Sequence, residues 1–131
     1  MSNQELVFLS AANLASEIKN KQISPVEAVE AYLDRINHVD PKLNAYITVL
    51  ADKALEAAHQ SESDITSGVN KGSLHGVPVA IKDQIYTKGI RTSSASKIRS
   101  GFVPDFDATV VNGLKRSGAI ILGKLNMTEF A

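Results

Sequence analysis

The residues best placed for chemistry are Lys82 and Asp83, which directly follow a continuous apolar run over residues 77–81 (VPVAI). Such a run is typical of a strand buried on both faces, and ligands of open α/β sheets gather at the carboxyl ends of strands. A lysine held there with little solvent would have its ammonium form disfavoured, so the neutral amine could act as a general base. The alternative is a solubilising lysine at a strand end, and this segment alone leaves both open.

A second lysine, Lys124, closes a stretch that fits the first part of a phosphate-binding P-loop, with glycines at Gly118 and Gly123. The residue after it is Leu125, so the hydroxyl that would bind magnesium is missing. The four residues between the two glycines are apolar and prone to form strands. We therefore predict a strand between two turns and no phosphate cradle.

The other polar side chains predict neither a metal site nor a cofactor site. The three histidines are far apart in the sequence, whereas metal sites usually show clustered ligands, so we expect surface or loop histidines. The absence of cysteine removes disulfides, thiolate metal sites and a cysteine nucleophile. Of the close pair Asp105 and Asp107, we expect Asp107 to cap the helix that follows it.

Length and composition predict one compact domain in a cytoplasmic protein. The 131 residues are 44% hydrophobic, with 14 basic and 14 acidic side chains. A net charge of zero gives no overall attraction to nucleic acids or anionic membranes, and scattered basic residues with few aromatics give no nucleic-acid signature. The polar, acidic start lacks the pattern of a secretory signal, and no apolar run approaches the ~20 residues of a membrane span.

The first 60 residues are predicted to be mainly helical. Leu9 and Ser10 open a helical pattern, Ser24 is placed to cap the next helix, and Pro25 suits a first helical position. Apolar spacing indicates a helix over roughly residues 25–38, ended by Asp40 and Pro41. Residues 43–50 are ambiguous but have the composition of a strand, residues 51–60 favour a helix, and residues 61–73 are predicted to be a surface loop.

Residues 74–131 predict a strand, a long loop, a helix and a second strand. The loop spans residues 83–106, Gly118 ends the helix, and the second strand covers residues 119–122. Strand, helix and strand together favour a βαβ unit and therefore a covered α/β sheet. Asn126 and Glu129 have the spacing of a capping box, so a further helix is expected to begin there.

Four segments of this sequence resemble the amidase-signature family, in order and at familiar spacing. LHGVPVAIKD (74–83) resembles the block of that family that contains its catalytic lysine. The resemblance covers nearly the whole chain, and its other segments are SPVEAVEAYLDRINHVDPKLNAYI (24–47), KGIRTSSASKI (88–98) and DATVVNGLKRSGAIILGKLNMTEFA (107–131). It implies that residues 1–131 form the incomplete N-terminal part of the amidase-signature fold, an α/β fold with a mixed sheet covered by helices.

The resemblance also implies a mechanism with a Ser–cis-Ser–Lys triad acting on a carboxamide C–N bond. The family's catalytic lysine falls on Lys82, which would deprotonate the nucleophilic serine through a bridging serine. In the family both serines lie in a downstream block rich in glycine and serine, and residues 1–131 contain no such block. The resemblance therefore implies a truncated chain, inactive by itself, whose two predicted strands lack the sheet neighbours that the remainder would supply.

Two finer alternatives remain open at this stage. Within the family, the segments GIRTSSASKI and GKLNMTEFA look most like the branch of tRNA-dependent glutamine amidotransferase A subunits, which implies glutamine as amide donor and other amidotransferase subunits as partners. Stand-alone amidases, with a small-molecule amide as substrate, share much of these segments. A third possibility is a non-catalytic binding module that retains the N-terminal architecture.

Overall fold

The computed structural model describes residues 3–131, and the first two residues of the predicted helical region lie outside the described part. A three-stranded sheet with strand order β1-β3-β2 is combined with five helices within this range. The mixed α/β architecture predicted from the sequence is confirmed. The elements are α1 (Asn3–Leu6), α2 (Ala11–Lys19), α3 (Pro25–Leu43), β1 (Tyr46–Val49), α4 (Ala51–Thr66), β2 (Pro78–Lys82), α5 (Thr109–Arg116) and β3 (Ile120–Leu125).

The predicted cap at Ser24 is confirmed, and Ser10, which opens the first predicted helical pattern, caps α2. The Ser10 hydroxyl accepts a hydrogen bond from the Asn13 amide at 3.2 Å, and the Ser24 hydroxyl accepts one from the Glu27 amide at 3.0 Å. Each bond satisfies an amide that the first helical turn leaves without a backbone partner. The sequence therefore determines where α2 and α3 begin.

Helix α3 runs past the predicted stop at Asp40 and Pro41 and ends at Leu43. Pro41 lies in the last turn, where its missing amide removes one backbone bond and disturbs little of the helix. Asn44 then ends the helix in the left-handed conformation with φ 52°. The Asp40 carboxylate accepts a hydrogen bond from the Ala45 amide at 2.8 Å, which stabilises this later end.

Helix α4 is also longer than predicted, because residues 61–66 of the predicted surface loop continue it to Thr66. The Gln60 side chain donates to the Asp64 carboxylate at 2.9 Å, a contact between adjacent turns of one helix face. Ser61 faces inward and is buried. These contacts outweigh the weak helix preference of the polar segment, and the strand predicted ambiguously for residues 43–50 is present as β1.

Strands β2 and β3 are parallel neighbours joined through α5, which confirms the predicted βαβ unit. Pro78 lies at the start of β2, where its missing amide matters least. The prediction that both strands lack neighbours is wrong for β3, which pairs with β2 on one side and with β1, antiparallel, on the other. Within residues 3–131, β2 is paired on one side only, and most of its residues are only partly buried.

Two predicted helix caps are wrong. Asp107 does not cap α5: its carboxylate accepts hydrogen bonds from the Lys88 amide at 2.7 Å and the Lys115 ammonium at 2.6 Å. No helix begins at Asn126 within the described residues, because the Glu129 carboxylate accepts a hydrogen bond from the Ser96 hydroxyl instead of turning back to cap. In both cases a partner distant in sequence replaces the local one.

The core lies on two sides of α3. One cluster joins α3 to α1, α2 and the residue that precedes β2, and the other joins it to α4 and β3. Burial of these apolar side chains is the main force that orients the helices on the sheet. The buried members are Leu6, Leu14, Ile18, Ile23, Ala28, Ala31 and Val77 in the first cluster, and Val29, Leu33, Ala54, Ala58, Ile120 and Leu122 in the second.

Candidate active site

Lys82 is the last residue of β2, at the position predicted from the sequence. Its ammonium donates a hydrogen bond of 2.9 Å to the main-chain carbonyl of Asn126, which follows β3. The side chain is exposed, so residues 3–131 do not provide the poorly solvated setting that we expected. It lines an open depression of about 390 Å³ together with Asn44, Ala45, Leu125, Asn126, Met127 and Thr128.

Asp83, the next residue, is fully buried and fixes the start of the long loop. One carboxylate oxygen accepts hydrogen bonds from the Ser93 amide at 2.9 Å and the Ser93 hydroxyl at 2.5 Å. The other oxygen is buried without a hydrogen-bond partner among residues 3–131. The Asp83 amide donates to the Leu125 carbonyl, so the main chain directly after Lys82 is held against the end of β3.

Lys124 is the second lysine at this end of the sheet, and it is completely buried. Its ammonium donates three hydrogen bonds into the loop: to the Ile85 carbonyl at 2.7 Å, the Thr92 hydroxyl at 2.9 Å and the Thr87 hydroxyl at 3.1 Å. All three ammonium hydrogens are therefore in use. Burial lowers the pKa of Lys124, and the charge of Asp83 offsets part of this effect.

The loop between β2 and α5 is ordered by these two buried charges, although it contains no helix or strand. Ser94 and Ala95 both have φ 54°, a left-handed conformation that non-glycine residues rarely adopt. The Ser94 amide donates to the Asp83 carbonyl, and the Phe130 amide donates to the Ser94 carbonyl. The strained turn is thus held between the residue after Lys82 and the segment after β3.

The acceptor of the Lys82 ammonium is a carbonyl, and no hydroxyl among residues 3–131 bonds to it. Ser93 is occupied by Asp83 and Ser96 by Glu129. The described residues therefore supply a candidate base but bring no candidate nucleophile to it.

His75 is buried, contrary to the expectation of a surface histidine, although it does lie outside the helices and strands. Its Nδ1 accepts a hydrogen bond from the Lys71 amide at 3.2 Å. Burial and the nearby Lys71 charge lower the pKa of His75, while Asp64 acts in the opposite direction.

Within residues 3–131 no group of three or more histidine, aspartate, glutamate or cysteine side chains could hold a metal ion.

Sequence reasoning gave Lys82 as the candidate base but did not predict the contacts of Lys124 and Asn126. Strand alternation gives no simple signal for Lys124, because the pairing of β2 with β3 is irregular between Ile121 and Gly123, and this irregularity places Lys124 beside the buried Ile81. The sequence contains no local pattern that predicts the hydrogen bonds of Asn126, because its partners lie up to 82 positions away in sequence.

No helix in the described part of the chain is long and apolar enough to cross a membrane.

Comparisons with known proteins agree with the resemblance found in the sequence. The model of the Amidase family matches residues 27–131. The chain is 48% identical over 127 residues to the A subunit of glutamyl-tRNA(Gln) amidotransferase from Carboxydothermus hydrogenoformans, and 51% identical over 127 residues to the corresponding protein of Geobacter metallireducens. Each match covers 97% of this chain and 26% of the relative.

Solved structures give the same result at the level of the fold. The chain superimposes on the peptide amidase of Stenotrophomonas maltophilia with a TM-score of 0.88 and 35% identity, covering 95% of this chain and 26% of that enzyme. A fatty acid amide hydrolase is similar in fold, with a TM-score of 0.91 at 23% identity. The chain thus spans about a quarter of the length of the proteins that it matches.

Proposed function

Because the chain belongs to the Amidase family, we propose that Lys82 is the general base of an enzyme that hydrolyses a carboxamide C–N bond. The observation that supports this most directly is the contrast between the two lysines at this end of the sheet. Lys124 donates all three ammonium hydrogens to buried acceptors, whereas Lys82 makes one hydrogen bond within residues 3–131 and lines an open depression. Lys82 therefore has free capacity to exchange a proton with a group that enters from outside residues 3–131.

In the proposed reaction the neutral amine of Lys82 takes a proton from a bridging serine, which takes one from the nucleophilic serine. The nucleophile attacks the amide carbonyl, the C–N bond breaks, the nitrogen leaves with a proton, and an acyl-enzyme remains. Water then hydrolyses the acyl-enzyme and restores the serine. Backbone amides would stabilise the oxyanion that forms in each half of the reaction.

The proposal places both serines outside these 131 residues. After Gly118 the sequence contains one further glycine, Gly123, and no serine. A base without its nucleophile loses the covalent route. We therefore propose that the 131-residue chain turns over no amide by itself.

The experiment that tests this joins residues 1–131 to the remaining three quarters of a relative, such as the Carboxydothermus protein. We expect amide hydrolysis by the hybrid and none by the 131-residue chain. Lys82→Ala should lower kcat of the hybrid by about 10²–10⁴-fold, the usual contribution of a general base. Lys53→Ala, which removes an exposed lysine of α4, is the matched control and should leave kcat unchanged. Full activity of the Lys82→Ala hybrid would refute the assignment.

Within the family we propose the branch of amidotransferase A subunits, because identity to those relatives is 48–51%, against 35% to the peptide amidase. The substrate would then be glutamine, and the other subunits of the amidotransferase would be partners. A hybrid that hydrolyses glutamine, and does so faster when those subunits are added, supports this branch. Hydrolysis of simple amides with no effect of added subunits favours a stand-alone amidase.

The alternative of a non-catalytic binding module makes a different prediction for the same experiment. A module needs its packed architecture but not the amine of Lys82, so the hybrid would be inactive whatever residue occupies that position. The match of residues 27–131 to the Amidase family and the position of Lys82 beside an open depression support the catalytic interpretation.

A further inference from the structure

We propose that Asn126 is a positioning residue that sets the direction of the Lys82 amine, an inference that rests on the proposed function. The carbonyl of Asn126 accepts the hydrogen bond of the Lys82 ammonium, at 2.9 Å. An exposed lysine side chain is otherwise free to rotate about four carbon–carbon bonds. The placement of the amine is therefore only as well defined as the placement of that carbonyl.

Every polar group of Asn126 is hydrogen-bonded, and the bonds fix the peptide on both sides. The Asn126 amide donates to the Ala45 carbonyl at 2.8 Å. The side-chain nitrogen donates to the Asn44 carbonyl at 3.0 Å, and the side-chain oxygen accepts from the Met127 amide at 2.9 Å. These contacts hold the end of β3 against the turn between α3 and β1.

That turn is itself rigidly built. Asn44 is in the left-handed conformation, with φ 52°. The Asp40 carboxylate accepts hydrogen bonds from the Ala45 amide at 2.8 Å and the Tyr46 amide at 3.3 Å. The Lys82 amine is therefore positioned, through Asn126, by the C-terminal end of α3, which is distant in sequence from both residues.

The chemistry of a base explains why such positioning is useful. A neutral amine has two N–H donors and one lone pair. When one N–H is given to a fixed carbonyl, the lone pair can occupy only the two remaining staggered positions about the Cε–Nζ bond. Misplacement of a catalytic group by about 1 Å can lower the reaction rate by about 10²-fold. A fixed acceptor for the Lys82 amine should therefore raise kcat measurably.

The first test measures the mobility of the Lys82 side chain in the 131-residue chain by ¹³C NMR relaxation at its terminal methylene. We expect a higher order parameter for Lys82 than for Lys53, which is exposed on α4. Asn126→Ala and Asn126→Asp both remove the donation to the Asn44 carbonyl, and each should lower the Lys82 value to that of Lys53. Asn37→Ala, which removes an exposed amide of α3, is the control and should change nothing.

Asn126→Asp keeps the oxygen that accepts from Met127, so it separates the two side-chain contacts and provides a folded variant if the alanine variant unfolds. An unchanged order parameter of Lys82 in either folded variant would overturn the proposal. In the hybrid enzyme, Asn126→Ala should lower kcat by about 10- to 100-fold with KM unchanged. If Lys82→Ala leaves the hybrid active while the mobility results are as expected, the proposed function fails and the positioning contact stands.

Discussion

Replacement of Lys124 by methionine tests whether two buried charges organise the loop beside Lys82. Methionine has a similar length and is apolar, so the change removes the ammonium without creating a large cavity. It takes one donor from each of the three acceptors, Ile85, Thr87 and Thr92. It also leaves the fully buried carboxylate of Asp83 without the positive charge that attracts it.

The expected cost follows from which groups are left unsatisfied. The Thr87 hydroxyl still donates to the Ile85 carbonyl at 3.1 Å, and the Thr92 hydroxyl still donates to the Ile90 carbonyl at 3.0 Å, so both hydroxyls keep a partner. A hydrogen bond to a charged group contributes about 1.5–3 kcal/mol, and Lys124 donates three of them. Because the desolvation of the ammonium is also relieved, we expect Lys124→Met to lower the free energy of unfolding by about 2–3 kcal/mol.

Urea unfolding monitored by circular dichroism measures this change, and a double-mutant cycle identifies its cause. Asp83→Asn should also destabilise the chain, because it removes the negative charge that attracts Lys124, while the side-chain oxygen of asparagine can still accept both bonds from Ser93. The double variant should be less destabilised than the sum of the two single variants, by about 1 kcal/mol or more. Lys53→Met is the exposed control. Strictly additive effects, or a Lys124→Met variant as stable as the parent, would refute the role of the buried charges.

The pH dependence of the unfolding free energy, measured for the parent and for Lys124→Met, tests independently whether burial lowers the pKa of Lys124. Burial lowers the pKa of Lys124 from its ordinary value of 10.5, so the unfolded chain binds more protons than the folded chain as the pH approaches that value. Stability contributed by this residue therefore rises with pH toward 10.5. The difference in unfolding free energy between parent and Lys124→Met should increase over this range, whereas the raised pKa values of Tyr32 and Tyr46 act equally in both proteins.

Two further predictions concern β3 and α5. In Gly123→Ala the new Cβ would lie 2.3 Å from the Thr48 carbonyl oxygen. We therefore expect the free energy of unfolding to fall by about 1–3 kcal/mol and amide hydrogen exchange in β1 to become faster. Gly113→Ala, whose new Cβ would meet nothing within 4 Å, is the control and should not destabilise the chain. Burial raises the pKa of Asp107, but the bond from Lys115 and other donors outweighs this and lowers it overall. The stability contributed by the Asp107 carboxylate is thus present above its ordinary pKa of 3.8 and is lost as the pH falls. Asp107→Asn should therefore reduce the loss of unfolding free energy at acid pH. The same dependence of unfolding free energy on pH in the variant and the parent would contradict this.

Local signals in the sequence predict the parts of the fold that depend on neighbouring residues. Ser10, Ser24 and Pro25 determine helix starts through contacts three residues away, and the structure has the starts at these positions. Pro78 is expected early in its strand for the same kind of reason, and it is the first residue of β2. The βαβ arrangement follows from the alternation of apolar runs and an amphipathic segment.

The wrong predictions fall where a distant partner competes with a local one. Asp107 has the type and position of a helix cap, but Lys88 and Lys115 bind its carboxylate more favourably than the first-turn amides of α5. Glu129 has the spacing of a capping box, but Ser96 donates to it across the loop. A single sequence contains no measure of these alternatives, because they exist only after the sheet and loop have formed.

The two lysines at the ends of β2 and β3 show why residue type alone does not distinguish a candidate base from a structural lysine. In the parallel register Ile81 lies beside Lys124 and Lys82 lies beside Leu125, so the two lysines occupy opposite faces of neighbouring strands. The face shared with Ile81 is buried, and on it the Lys124 ammonium donates all of its hydrogens to three acceptors of the loop. The other face opens onto the depression, and the lysine there keeps two N–H groups available. A shift of one residue in the β2–β3 register would exchange these environments, so the assignment of Lys82 as the base depends on the pairing of the strands as much as on the lysine itself.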